Sequence, residues 1–94
     1  MWSKAMKKEA RGLEACDLGE VQAVEPHYVK TLRGRFLKRE TFYLPRGLAE
    51  AFDGSTVWFR IEASEAEEFK RSAPPSEKEY AMYSPFLARL FITS

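Results

Sequence analysis

Thr56-Val57-Trp58-Phe59-Arg60-Ile61-Glu62 is the stretch whose reading decides the fold. Val57, Phe59 and Ile61 alternate with Trp58, Arg60 and Glu62, which is the period of a half-buried β-strand. The apolar trio claims a core and leaves an indole beside an arginine on the outer face. Working outward, Phe42 and Leu44 alternate with Thr41 and Tyr43 until Pro45 ends the run. Tyr28, Lys30 and Leu32 oppose His27, Val29 and Thr31, and Val21 and Ala23 alternate with Gln22 and Val24. Pro26, between these last two segments, suits an edge, a bulge or a corner. Gly12, Asp17-Leu18-Gly19, Arg33-Gly34, Pro45-Arg46-Gly47, Asp53-Gly54 and Pro74-Pro75 punctuate the chain. Turns at that spacing between short apolar runs predict a small meandering β-structure.

Helical signals are short. Leu48, Ala51 and Phe52 fall at i, i+3, i+4 and predict about one and a half turns. Ser64 to Glu67 reads as a capping box, with Ser64 as N-cap and a helix running toward Arg71. Residues 1–10 could form a further short amphipathic helix. A linker at 72–76 precedes an apolar tail.

Ninety-four residues suffice for one small domain. Apolar residues at 45% and charged residues at 31% exclude both a disordered tract and a membrane-spanning chain. A single Cys permits no internal disulfide and no structural zinc site, and the one His adds little ligand capacity. No cofactor or metal is expected. The N-terminus lacks an apolar signal region and no later stretch is long enough to span a membrane, so a cytoplasmic setting is expected.

The net charge of +1 hides an uneven layout. Residues 28–46 carry Lys30, Arg33, Arg35, Lys38, Arg39 and Arg46 against Glu40 alone, and acidic blocks flank them on either side. Tyr28, Phe36, Phe42 and Tyr43 lie in or beside this run. Basic side chains with aromatic platforms are what a small barrel would use to hold single-stranded nucleic acid. The plainer reading of residues 33–39 is a charged hairpin loop that keeps a sheet edge from pairing with other chains.

Residues 9–71 resemble the PRC-barrel domain family. The matching elements are Ala10-Arg11-Gly12-Leu13, Asp17-Leu18-Gly19-Glu20-Val21 with Val24, Tyr28-Val29, Glu40-Thr41-Phe42-Tyr43-Leu44-Pro45, and Asp53-Gly54-Ser55-Thr56-Val57-Trp58-Phe59. Asp17-Leu18-Gly19 looks like the family's turn into its second strand. The resemblance implies a small, strongly bent β-barrel, often self-associating, that serves as a docking or adaptor module and carries no catalytic signature. Roles in bacterial or archaeal assemblies, such as cell division or ribosome maturation, are what it would imply.

Other constellations read as structural. His27 has no flanking motif for a dyad with Cys16 or a triad. Cys16 is expected as a small apolar filler. Glu62, Glu65, Glu67 and Glu68 suit a solvated helix start. Trp58 and Arg60 stand out, because outward aromatics and arginines are the residue types of interface hot spots. An indole there could instead lie under the N-terminal segment or the tail. In the tail, Phe86, Leu87, Leu90 and Phe91 form an amphipathic stripe after Pro85 that must dock on something.

The sequence therefore predicts a mainly β, PRC-barrel-like domain over residues 1–73 with short helices, and a linker and docking tail over 74–94. The expected function is non-catalytic protein–protein interaction, as a homodimer and with a further protein partner, through Trp58, Arg60, Phe86, Leu87, Leu90 and Phe91. The alternative is RNA or single-stranded DNA binding through Lys30, Arg33, Arg35, Lys38 and Arg39.

Overall fold

The strand expected at residues 56–62 belongs to a six-stranded sheet but ends at Phe59, and the alternation of burial continues to Glu62. The strands of the sheet are β1 (Glu9–Arg11), β2 (Asp17–Val24), β3 (Tyr28–Arg33), β4 (Glu40–Pro45), β5 (Ala49–Phe52) and β6 (Thr56–Phe59). The computed structural model describes residues 2–34 and 36–83, without the side chains of Trp2, Ser3 and Phe36. The strand order is β4-β3-β2-β1-β6-β5, with every neighbouring pair antiparallel except β1 and β6.

That order forces the sheet to roll. Strands β4 and β5 lie at opposite ends of it, yet only a 3-10 turn at Arg46–Leu48 separates them in the chain. Five strand spacings in a flat sheet would set the two ends about 24 Å apart. The stretch from Pro45 to Ala49 can span about 14 Å at full extension. Bulges supply the bend. Leu18 and Gln22 are the extra residues in β2, and Glu50 is the extra residue in β5. Gly19, opposite Ala10 at the first bulge, has φ +97°, and a Cβ there would fall 2.7 Å from the Leu32 carbonyl oxygen. The Leu18 carbonyl accepts the Thr31 hydroxyl at 2.5 Å, which satisfies a polar group that is fully buried.

Inside the roll lie Ala10, Leu18, Val21, Val29, Phe42, Leu44, Val57, Phe59 and Ile61, all at 1% exposure or less. Val57, Phe59 and Ile61 are inward and Arg60 is outward, as their alternation requires. Phe42 and Leu44 are inward too, but Tyr43, on the opposite face of β4, is also buried at 4%. The chain beyond residue 68 covers that side. Phe42 bridges to Lys70, and the Arg71 amide donates to the Thr41 carbonyl at 3.2 Å. The Tyr80 hydroxyl donates to the Tyr43 carbonyl at 2.5 Å. Tyr80, Tyr83 and Phe69 pack edge to face, with centroids 5.6–6.1 Å apart. Pro75 is buried, and the Arg71–Glu79 ion pair at 2.6 Å closes the segment. The outer edge of β4 is thereby sealed.

Four local expectations are corrected. Leu48, Ala51 and Phe52 are not helical: Leu48 ends the 3-10 turn and the other two belong to β5. Pairing with β6 outweighs a helical spacing that covers only five residues. The helix N-cap is Glu62, not Ser64. The helix spans Ala63–Ala66, and a 3-10 turn ends it at Phe69. The Glu65 carboxylate takes the Glu62 amide at 3.0 Å, so the capping box is displaced by two residues. Within residues 1–10, the described part forms a 3-10 turn at Trp2–Ala5 and enters β1 at Glu9. Asp17-Leu18-Gly19 is not a turn but the start of β2. The reversal before it is made at Leu13–Ala15, where Glu14 and Ala15 take φ 58° and 60°.

Candidate functional site

Trp58 sits on β6 with Arg11 of β1 and Ala51 of β5 as its neighbours across the sheet. Its ring lies on the outer face, half-buried. The β5–β6 turn fixes it there. Asp53 Oδ1 accepts the amides of Ser55 and Thr56 at 2.9 and 2.8 Å and the Ser55 hydroxyl at 3.0 Å. This leaves Oδ2 to accept the indole Nε1–H at 3.0 Å. The Trp58 indole, the two amides and the hydroxyl together hold the Asp53 carboxyl well below the usual carboxylate range. Arg60 is exposed two residues on, and its Nε donates at 2.8 Å to Glu50, the bulged residue of β5. An aromatic and an arginine on the outer face are therefore each tied to a carboxylate of the β5–β6 hairpin.

The basic segment is divided. Arg33 donates from Nε and Nη2 to Glu40 Oε1 at 3.1 and 2.9 Å, and from Nη1 to the Asp17 carbonyl at 2.8 Å. Its guanidinium also lies 4.8 Å from the Phe42 ring centroid. Lys30 Nζ sits 5.9 Å from the Tyr43 centroid. Lys38 and Arg39 are exposed, and Arg35 lies outside the described residues. Of the aromatic platforms, Phe42 and Tyr43 are buried and Tyr28 packs edge to face on Tyr43 at 5.2 Å. These three are engaged by the protein itself and not free for stacking, and the side chain of Phe36 lies outside the described residues.

Glu40 is the hub of this side. Lys70 Nζ reaches its Oε2 at 2.6 Å while Arg33 holds Oε1. Lys70 first and Arg33 second hold the Glu40 carboxyl below its ordinary value of 4.5. Lys70, which also pairs with Glu67 at 2.6 Å, is raised above 10.5 by Glu40 first and Glu67 second. The Glu40 stabilisation is complete above the unfolded value and is lost as pH falls through the lower folded one. That of Lys70 is complete below its unfolded value and is lost as pH rises through the raised one. Glu40→Gln should therefore flatten the acid limb of melting temperature against pH below about 4.5. An unchanged acid limb would remove Glu40 from the account.

His27 Nε2 lies 3.0 Å from the Pro75 carbonyl, so it must carry the proton, and the ring helps hold residue 75 on the sheet. Cys16 packs against the core and points at the Ile61 carbonyl at 3.7 Å. Leu13, Glu14, Cys16, Glu62, Ala63 and Ser64 line an open concavity with no histidine in it. Among the described residues, no group of three His, Cys, Asp or Glu is placed to hold a metal ion. Among the same residues, no helix is long and apolar enough to cross a membrane. Phe86, Leu87, Leu90 and Phe91 lie outside the described residues, whereas residues 75–83 rest on their own sheet. The sequence reading missed Asp53 and Glu50, the two carboxylates that hold Trp58 and Arg60. Asp-Gly-Ser-Thr is a legible Asx-turn signal, but its second oxygen finds the indole only once the hairpin forms. No protein-family model matches the chain, and no curated protein matches it.

Proposed function

We propose that this protein is a non-catalytic interaction module, a cytoplasmic PRC-barrel-like adaptor that self-associates and docks a further protein. The observation that carries the reading is the half-exposed Trp58 anchored by Asp53 beside the Glu50-pinned Arg60. The rolled sheet, with its two ends joined by one short turn, is the geometry a small bent barrel requires. The stripe at Phe86, Leu87, Leu90 and Phe91 is the second contact, and a symmetric dimer would need only one self-complementary surface.

Sedimentation of the full chain is expected to give a dimer at micromolar concentration. Trp58→Ala with Arg60→Ala, and separately Leu90→Asp with Phe91→Asp, should shift it toward monomer with unchanged circular dichroism. The truncation that tests the tail must end after Tyr83, because removing Tyr80 would strip the cover from Tyr43. A full-length monomer would sink the self-association. Capture of protein partners from a host extract that Trp58→Ala leaves intact, or that nuclease abolishes, would sink the adaptor reading.

A further inference from the structure

Leu37, at the tip of the β3–β4 hairpin, is fully exposed at 102%. Among the described residues, the other exposed large apolar side chains, Met6, Leu13 and Met82, are at 38–67%. Leu37 is not on a loose loop, because Gly34 takes φ +96° and the Lys38 carbonyl packs where a Cβ would stand. This close approach holds the 3-10 turn Phe36–Lys38 across the end of the hairpin. The two residues that follow Leu37 are the exposed cations Lys38 and Arg39, and neither forms an ion pair among the described residues. Nearer the sheet the situation is reversed, since Arg33 is neutralised by Glu40 and Lys30 lies against Tyr43. Within the basic segment, the exposed cations without an ion pair among the described residues thus stand at the tip, next to a projecting leucine.

We propose that this hairpin tip binds an anionic lipid surface peripherally, with Leu37 entering the headgroup–acyl boundary and Lys38 and Arg39 meeting lipid phosphates and carboxylates. The charge is complementary to such a surface. The shape also fits, because a convex tip with one aliphatic side chain suits a planar, deformable boundary. Nucleic acid is disfavoured. A phosphate-tracking groove would need Arg33 free and the faces of Phe42 and Tyr43 open, whereas Arg33 is paired with Glu40 and both rings are buried.

The test is co-sedimentation of the full chain with phosphatidylcholine vesicles, with and without phosphatidylserine, at physiological and high salt. Two cations and one leucine predict weak binding, half-maximal at roughly millimolar anionic lipid. None is expected on phosphatidylcholine alone, and high salt should abolish it. Lys38→Glu with Arg39→Glu should weaken binding by about thirtyfold or more. Leu37→Asp should lower it at physiological salt. Both variants alter only exposed positions, so unchanged thermal unfolding is expected and is measured alongside. A single Arg39→Gln supplies the intermediate loss should either variant prove unstable. Absence of binding to phosphatidylserine vesicles would overturn the proposal, as would variants that bind equally well. Micromolar binding of an oligonucleotide through the same residues would also overturn it, in favour of nucleic acid.

Discussion

Phe59→Ala is expected to lower the unfolding free energy by about 3–5 kcal/mol, much of what a domain of this size has. Phe59 is 1% exposed on β6, with Val57 and Ile61 inward on either side of it. The sheet is tied together by short strands and cannot collapse around the void, so both the transfer loss and the cavity remain. Urea unfolding measures the effect, and the midpoint should fall with little change in slope. A loss under about 1 kcal/mol would mean that the ring is not in the core.

Gly19→Ala carries the second large effect, for two separate reasons. The residue would be held at φ +97°, which costs an L-amino acid about 1–2 kcal/mol. Its Cβ would also sit 2.7 Å from the Leu32 carbonyl, a backbone atom inside the β2–β3 pairing. Overpacking of that kind costs about 1–3 kcal/mol, so a total near 3 kcal/mol is expected. Gly54 provides the control, because its φ is +96° with nothing within 4 Å of the Cβ position. Gly54→Ala should show only the conformational part, about 1–2 kcal/mol. Equal losses at the two positions would show that the close approach at Leu32 carries no energy.

The inner face of the sheet was legible in the sequence because burial repeats along a strand. Val57, Phe59 and Ile61, then Phe42 and Leu44, each declare a side by alternation, whereas β3 carries apolar groups on both faces and its inward pair, Val29 and Thr31, is fixed only by the fold. Tyr43 was not legible, since its burial depends on Tyr80, 37 residues later. Leu48, Ala51 and Phe52 misled because a spacing over so few residues satisfies a helix as well as a bulged strand. Only the pairing of β5 with β6 decides between them. The displaced N-cap has a similar origin. Strand β6 ends at Phe59, but Ile61 is still buried and its carbonyl takes the Leu13 amide at 2.9 Å, so the helix begins directly after Glu62. Trp58 was found by its position on the outer face. Its anchoring by Asp53 belongs to a turn geometry that alternation does not encode.

Strand β1 has a kinetic consequence. The meander β2–β3–β4 and the hairpin β5–β6 can each form from contacts that are close in the chain. Three residues of β1 join them, pairing Glu9 with Glu20 on one side and with Thr56 on the other. The second pairing closes a long loop, so it is expected to form late in folding. An isolated two-stranded hairpin is marginal in water, and the β5–β6 hairpin depends on that join to persist. Because Asp53 and Trp58 both lie within this hairpin, detachment of β1 would release the indole from its fixed pose. The fixed pose of the indole then depends on a three-residue strand whose Arg11 stands beside Trp58 in the sheet.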